Sequence, residues 1–213
     1  MIQMKDSVFT PELVRYIESI ESEFDKIPGK RILILNQISD FIDKRLKSSG
    51  EAELLFICTH NSRRSQFGQI WAAVAAEFYS IQGIKSFSGG TEATSFNPGA
   101  VVAVERTGLR LTKSSQNPDN PEYKLQTAEG APEMILFSKR YDDTANPNGD
   151  FCAIMVCSDA DSACPYIPGA LERISLPYED PKEFDGTSQE KLKYDETCRE
   201  ISREIHYVLG LLG

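Results

Sequence analysis

Cys58 and Arg64 stand six positions apart in the run Cys58-Thr59-His60-Asn61-Ser62-Arg63-Arg64-Ser65. The run lies between a short apolar segment, Leu54 to Ile57, and a helical pattern that starts at about Ser65. A polar loop that leads into a helix N-terminus can turn its backbone N–H groups onto a tetrahedral oxyanion, and the helix dipole adds positive potential. A thiol at the head of such a loop is favoured by the same field as the thiolate, its nucleophilic form. Arg64 stands where the loop closes, and a planar guanidinium can hold two oxygens of phosphate or arsenate at once, which lysine cannot do. Thr59, His60, Asn61, Ser62 and Arg63 complete the cradle. Ser65 can cap the helix or donate a hydrogen bond to Cys58, and Asn61 can hold the loop through bonds to its own backbone. The plainer reading of the same residues is a buried strand-end cysteine followed by solvated arginines. The strand, polar loop and helix in sequence favour the chemical reading.

The elements needed to position that loop can be read from periodicity. Leu54 to Ile57 is a continuous apolar run, the mark of a strand buried on both faces. Phe67, Ile70, Trp71, Val74 and Phe78 form one apolar face of a helix over about 65–79. Further strands are expected at 84–87, 152–156 and 173–176, with helices over about 98–107 and 188–212. Strands alternating with helices imply an α/β fold of three layers, with a central parallel sheet of about four strands. Ahead of it, Leu13, Val14, Ile17, Ile20 and Phe24, then Ile34, Leu35, Ile38, Phe41, Ile42 and Leu46, predict a helical hairpin over 1–50, interrupted at Pro28-Gly29. The catalytic unit then spans 51–213. Its stretch 114–150 is rich in Pro, Asn, Asp and Gly, has little periodicity, and reads as a surface insertion.

A chain of 213 residues with 40% hydrophobic content can bury one good core. A net charge of −9 and no long Lys/Arg run argue against nucleic acid as a partner. No stretch is apolar enough for a membrane span, and Met1 to Asp6 lacks a signal core, so a soluble, cytoplasmic protein is expected. Five cysteines, unevenly placed, are too few for a secreted disulfide scaffold and point to thiols used for chemistry.

A cysteine, five residues, arginine, then serine resembles the phosphate-binding loop of the low-molecular-weight protein tyrosine phosphatase superfamily. Within it the chain is most similar to the thioredoxin-coupled arsenate reductases, because Cys157-Ser158-Asp159-Ala160-Asp161-Ser162-Ala163-Cys164-Pro165 matches their pair of redox cysteines. Ser88-Gly89-Gly90 resembles the end of the family's second strand, and Asp180-Pro181 its general acid. The resemblance covers about residues 52–212. It implies that the Cys58 thiolate attacks arsenate while Asp180 protonates the leaving oxygen. It also implies that Cys157 then forms a disulfide with Cys58, and that Cys164 resolves it into a Cys157–Cys164 disulfide. No bound cofactor and no metal are implied, and an external thioredoxin-like reductant is.

Some positions depart from the family. His60 replaces a frequent glycine and can touch substrate. Arg63 replaces a frequent cysteine and reads as a solvated arginine at the mouth. Gln69 stands where some of these reductases have a glutamate associated with potassium, so that ion is not carried over. Lys182-Glu183-Phe184 lacks the paired tyrosines of many eukaryotic phosphatases. Cys152 and Cys198 read as packing residues. The leading function is reduction of arsenate to arsenite. The alternatives are hydrolysis of phosphate monoesters through a Cys58 phosphoenzyme, and a non-catalytic module binding an oxyanion or a metal. The segment between Cys157 and Cys164, small and polar, suits a stretch that loops out between partners.

Overall fold

The computed structural model describes residues 9–164 and 166–213. The first eight residues of the expected hairpin, which include the Met1 to Asp6 start, and Pro165 of the cysteine motif lie outside the described residues. Four parallel strands form the central sheet in the order β2-β1-β6-β7, with β1 at Ala52–Cys58, β2 at Ile84–Gly90, β6 at Phe151–Met155 and β7 at Ala170–Ser175. The sheet is flanked by helices, as the alternation of strands and helices predicts. All five residues from Leu54 to Cys58 are buried, which accounts for the unbroken apolar run.

Helix α3, Arg64–Phe78, packs on β1 and β2 and against α6, Glu190–Gly210. Its approach to the sheet is close because of Gly68. A Cβ there would come within 2.4 Å of the Phe56 ring. Helix α6 also touches α4, Pro98–Glu105, and buries Tyr194, Cys198, Ile201, Ile205 and Val208, at spacings of four and three, while Leu212, the next position at that spacing, lies past the helix end at Gly210 and is only partly buried. Among the described residues, no helix is long and apolar enough to cross a membrane.

The hairpin comprises α1, Pro11–Glu21, and α2, Gly29–Ser49, joined by a 3-10 turn at Phe24–Lys26. Helix α1 stops at Glu21, short of the expected bound, and Pro28 serves as the N-cap of α2. Leu35, Ile38, Phe41 and Ile42 of α2 are buried, and α2 rests on α6, β1 and β7.

The stretch 114–150 is more ordered than its composition suggests. Together with β3, Leu111–Lys113, it forms a second, antiparallel sheet with β4, Tyr123–Gln126, and β5, Glu133–Leu136. Strands of three or four residues fall below the window in which alternation can be recognised. After β5 the chain bridges Arg140 to Gly90 in parallel, extending the edge of the main sheet beside β2.

His206 on α6 is fully buried among the rings of Trp71, Phe78 and Tyr79. Neither ring nitrogen has a hydrogen-bond partner among the described residues. Burial therefore lowers its pKa to about 3. The unfolded chain takes up this proton near pH 6.5 and the folded chain resists it, so stability is lost as pH falls below about 6.5. Between pH 7 and pH 5 the wild type should lose about 2 kcal/mol more than His206→Leu. Urea midpoints at the two pH values measure the difference, and equal losses would exclude His206 as the source.

Candidate active site

Because the main sheet is parallel, the chain leaves every strand at one edge, where α/β proteins build their sites. Cys58 ends β1, Gly90 ends β2, Cys157 follows β6, and the segment 176–180 follows β7. The loop after β1 is drawn tight against its neighbour. A Cβ on Gly90 would meet the Thr59 carbonyl and the Asn61 amide nitrogen, each at 2.7 Å. Among the described residues, the main-chain N–H groups of His60 to Arg63 donate to no other group, which leaves them free to form the cradle.

Side chains hold the loop open. Asn61 is fully buried with φ +47°, a left-handed conformation that asparagine tolerates better than most residues. Its amide does not bond its own backbone as the sequence suggests. It donates to Ser65 Oγ at 2.8 Å and accepts from the Lys139 N–H at 2.9 Å and from Gln66 Nε2 at 3.2 Å. Gln66 Nε2 also donates to the Asn61 carbonyl and to the Phe137 carbonyl. Ser138 Oγ donates to the His60 carbonyl at 2.8 Å, and Ser62 Oγ donates to the Ser95 carbonyl at 2.7 Å. The stretch 114–150 thus supports the Cys58 loop through Phe137, Ser138 and Lys139, a connection that composition does not reveal. Burial lowers the Lys139 ammonium to about 8, with Asp143 opposing.

Ser65 lies inside the first turn of α3, and its Oγ is 3.1 Å from Cys58 Sγ. Since Asn61 donates to that oxygen, the serine proton is available to the sulfur, where it stabilises a thiolate. His60 projects toward Glu92, with Nε2 at 3.7 Å from the carboxylate.

The two arginines face Asp180, and both are buried. Arg64 donates through Nη1 to the Tyr178 carbonyl at 2.8 Å and through Nη2 to Asp180 Oδ2 at 2.5 Å, while its Nε is buried without a partner among the described residues. The solvated position expected for Arg63 is not found. Its Nε donates to Tyr194 Oη at 2.8 Å, and its Nη atoms lie 3.5 Å from Asp185 and 3.8 Å from Asp180. Burial and the hydrogen bond that it donates to Asp185 push the Tyr194 phenol up to about 12, so it stays protonated. Tyr194 and Asp185 were not foreseen because they act only through Arg63. Asp180 also caps the 3-10 turn Pro181–Phe184, accepting from the Lys182 N–H at 3.1 Å.

Cys157 is buried at the rim of the loop, with Sγ 3.4 Å from Thr59 Oγ1 and 3.3 Å from the Ala160 N–H, which it accepts. The segment that follows is helical. Ser158–Ala163 forms α5, with Cys157 as its N-cap and Cys164, partly exposed, just after it. Arg173 on β7 fastens this helix through Asp161, at 2.6 Å, and through the Cys164 carbonyl, at 3.0 Å. The segment expected to loop out between partners is helical in the structure. Among the described residues, no cluster of three His, Cys, Asp or Glu side chains gathers to hold a metal. Gln69 accepts from Ser88 Oγ at 2.6 Å and donates to the Ser86 carbonyl at 3.3 Å. Burial pushes the thiols of Cys152 and Cys198 up, the latter to about 12, which suits packing rather than nucleophilic use.

No family model matches the chain. It is 28% identical over 147 residues to an arsenate reductase of Bacillus subtilis, covering 69% of this chain and 86% of that protein. It is 28% identical over 139 residues to an arsenate reductase of Oceanobacillus iheyensis, covering 65% and 80%. A low-molecular-weight phosphotyrosine phosphatase from Vibrio cholerae superposes with a TM-score of 0.51 at 14% identity, covering 76% of this chain and 95% of that one. At such identity the superposition shows a shared fold.

If Ser65 is the donor to the Cys58 sulfur, Ser65→Ala should slow alkylation of Cys58 by iodoacetamide near neutral pH by about tenfold, the worth of one hydrogen bond to a charged acceptor. Peptide mapping of the labelled Cys58 measures this. An unchanged rate would remove Ser65 from that role.

Proposed function

We propose, from the premise that this chain carries the fold of the low-molecular-weight protein tyrosine phosphatase superfamily, that it reduces arsenate to arsenite with thiols as the electron source. The observation that carries this reading is Cys157 at the rim of the Cys58 loop, beside Thr59, with Cys164 at the other end of a six-residue helix. A phosphatase of this fold needs the loop, Arg64 and Asp180. Hydrolysis of a phosphate ester requires no second thiol.

In the proposed reaction the free N–H groups of the loop and the fork of Arg64 bind the arsenate oxygens. An oxyanion that takes Nε and Nη2 of Arg64 displaces Asp180 from Nη2 and leaves Nη1 on the Tyr178 carbonyl, and the carboxyl is then available to give a proton to the leaving oxygen. The Cys58 thiolate forms a bond to arsenic as that oxygen departs as water. The Cys157 thiolate next attacks the Cys58 sulfur. The S–As bond breaks with its electron pair moving to arsenic, which falls from the pentavalent to the trivalent state and leaves as arsenite. The Cys58–Cys157 disulfide is resolved when the Cys164 thiolate attacks Cys157, with Cys58 departing as thiolate. A dithiol reductant of the thioredoxin kind reduces the Cys157–Cys164 disulfide. Joining Cys157 to Cys164, at opposite ends of α5, requires that helix to unwind and Arg173 to release Asp161.

Cys58→Ser should abolish arsenate reduction, because a hydroxyl is a poor nucleophile in a site arranged for a thiolate. Asp180→Asn should slow the first step by about 10²- to 10⁴-fold, the usual worth of general acid catalysis, with oxyanion binding largely retained. The cysteine pair is tested by mass spectrometry after one arsenate turnover with free thiols alkylated. Wild type should show Cys157 joined to Cys164, and Cys164→Ser should stop with Cys58 joined to Cys157. All thiols free in the wild type, while an aryl phosphate is still hydrolysed, would replace the reductase by a phosphatase.

A further inference from the structure

The N-terminal hairpin takes no part in the chemistry above, yet it reaches the active site through one side chain. Arg31, in the first turn of α2, donates through Nε and Nη2 to the two carboxylate oxygens of Glu204, at 2.9 and 2.6 Å. Glu204 belongs to α6 and is 1% exposed. The remaining donor of Arg31, Nη1, reaches the Pro177 carbonyl at 2.8 Å. Its guanidinium carbon lies 4.6 Å from the centre of the Tyr178 ring, and the Tyr178 hydroxyl donates to Glu204 at 2.7 Å. Arg31 and Glu204 therefore hold both the backbone and the side chain of the segment that follows β7. The other side of that segment faces the catalytic loop. The Tyr178 carbonyl accepts from Arg64 Nη1, and Asp180, two residues on, accepts from Nη2.

We infer that Arg31 is a positioning residue for the oxyanion site: by fixing Pro177 and Tyr178 it sets where Arg64 and Asp180 stand. The inference rests on the proposed reading of the Cys58 loop as that site. The Coulombic gain of a buried ion pair is largely offset by the desolvation of its charges, so net stability is a weak reason for this pair. Geometry is a better one. Lysine in place of arginine would keep a charge beside Glu204, but one ammonium cannot grip both carboxylate oxygens, hold the Pro177 carbonyl and stack on Tyr178 together. Displacing a reacting group by about 1 Å from a distant site can cost about 100-fold in rate.

Two full-length variants test this, Arg31→Lys and the double variant Arg31→Met with Glu204→Gln, which removes both charges so that neither is left buried alone. The first measurement is the phosphate concentration that half-protects Cys58 from iodoacetamide. It should rise about tenfold in both variants, because Arg64 loses its fixed orientation. The second compares hydrolysis of phenyl phosphate with that of p-nitrophenyl phosphate. The variants should lose more rate on phenyl phosphate, whose poor leaving group depends most on the Asp180 proton. A merely structural role would shift the melting temperature and leave both measurements unmoved. Wild-type protection with an unchanged leaving-group ratio in the folded variants overturns the inference. Failure of Arg31→Lys to fold also overturns it, since the pair would then serve the fold itself. A wild type that turns over neither arsenate nor aryl phosphate counts against the proposed function alone, and the protection measurement still decides on Arg31. No protection of wild-type Cys58 overturns the inference together with the anion site.

Discussion

The guanidinium of Arg64 ties together two loops that leave the sheet from strands separated by β6. One nitrogen donates to the Tyr178 carbonyl and another to Asp180, while the backbone of Arg64 opens the helix that follows Cys58. The proposed nucleophile, Cys58, and the proposed acid, Asp180, are therefore referred to one planar group. The sheet brings the loops to a common edge because its strands are parallel, and Arg64 makes that edge a single site. The surrounding polar contacts either orient this guanidinium or hold the loop on which it stands.

Several of those contacts are buried charges, and their placement calls for a reason beyond stability. Arg63 is held between Tyr194, Asp185 and Asp180, and Arg31 between Glu204, Pro177 and Tyr178. Charges withdrawn from water regain little net free energy even when well paired, but a wrongly placed partner is costly. Such pairs therefore permit few arrangements. Here they lie on either side of the segment 177–185, which carries Asp180, and both draw on α6 through Tyr194 or Glu204. Helix α6 thus supports the segment that carries Asp180 as well as the core.

The five cysteines show how environment assigns chemistry to a single residue type. Cys152 and Cys198 are enclosed, and burial, more than any neighbouring charge, raises their pKa and disfavours their thiolates. Cys58 stands at the head of a loop with unengaged N–H groups and a serine hydroxyl within reach. Cys157 is as buried as Cys152, yet it caps a helix and contacts the loop through Thr59. Cys164 is partly exposed at the end of that helix. Order along the chain does not separate these roles.

Residue types and short-range periodicity alone determined the strand, loop and helix around Cys58, the parallel sheet and the hairpin. These depend on buried runs and on apolar spacing, which are written locally. The run from Cys58 to Ser65 also marked the turn from β1 into α3, because a strand end, a polar loop and a helix start are written within a few residues. Only the tertiary structure decided what Arg63 does, since its partners Tyr194 and Asp185 lie more than a hundred residues away and an arginine in a loop ordinarily faces water. The same holds for Asn61, whose partner is the backbone of Lys139, and for the stretch 114–150, whose strands are too short to show a period. It holds most of all for the hairpin. Its apolar face announced that it packs, but the salt bridge from Arg31 to Glu204 and its reach to Pro177 exist only once the chain has brought α2, α6 and the end of β7 together.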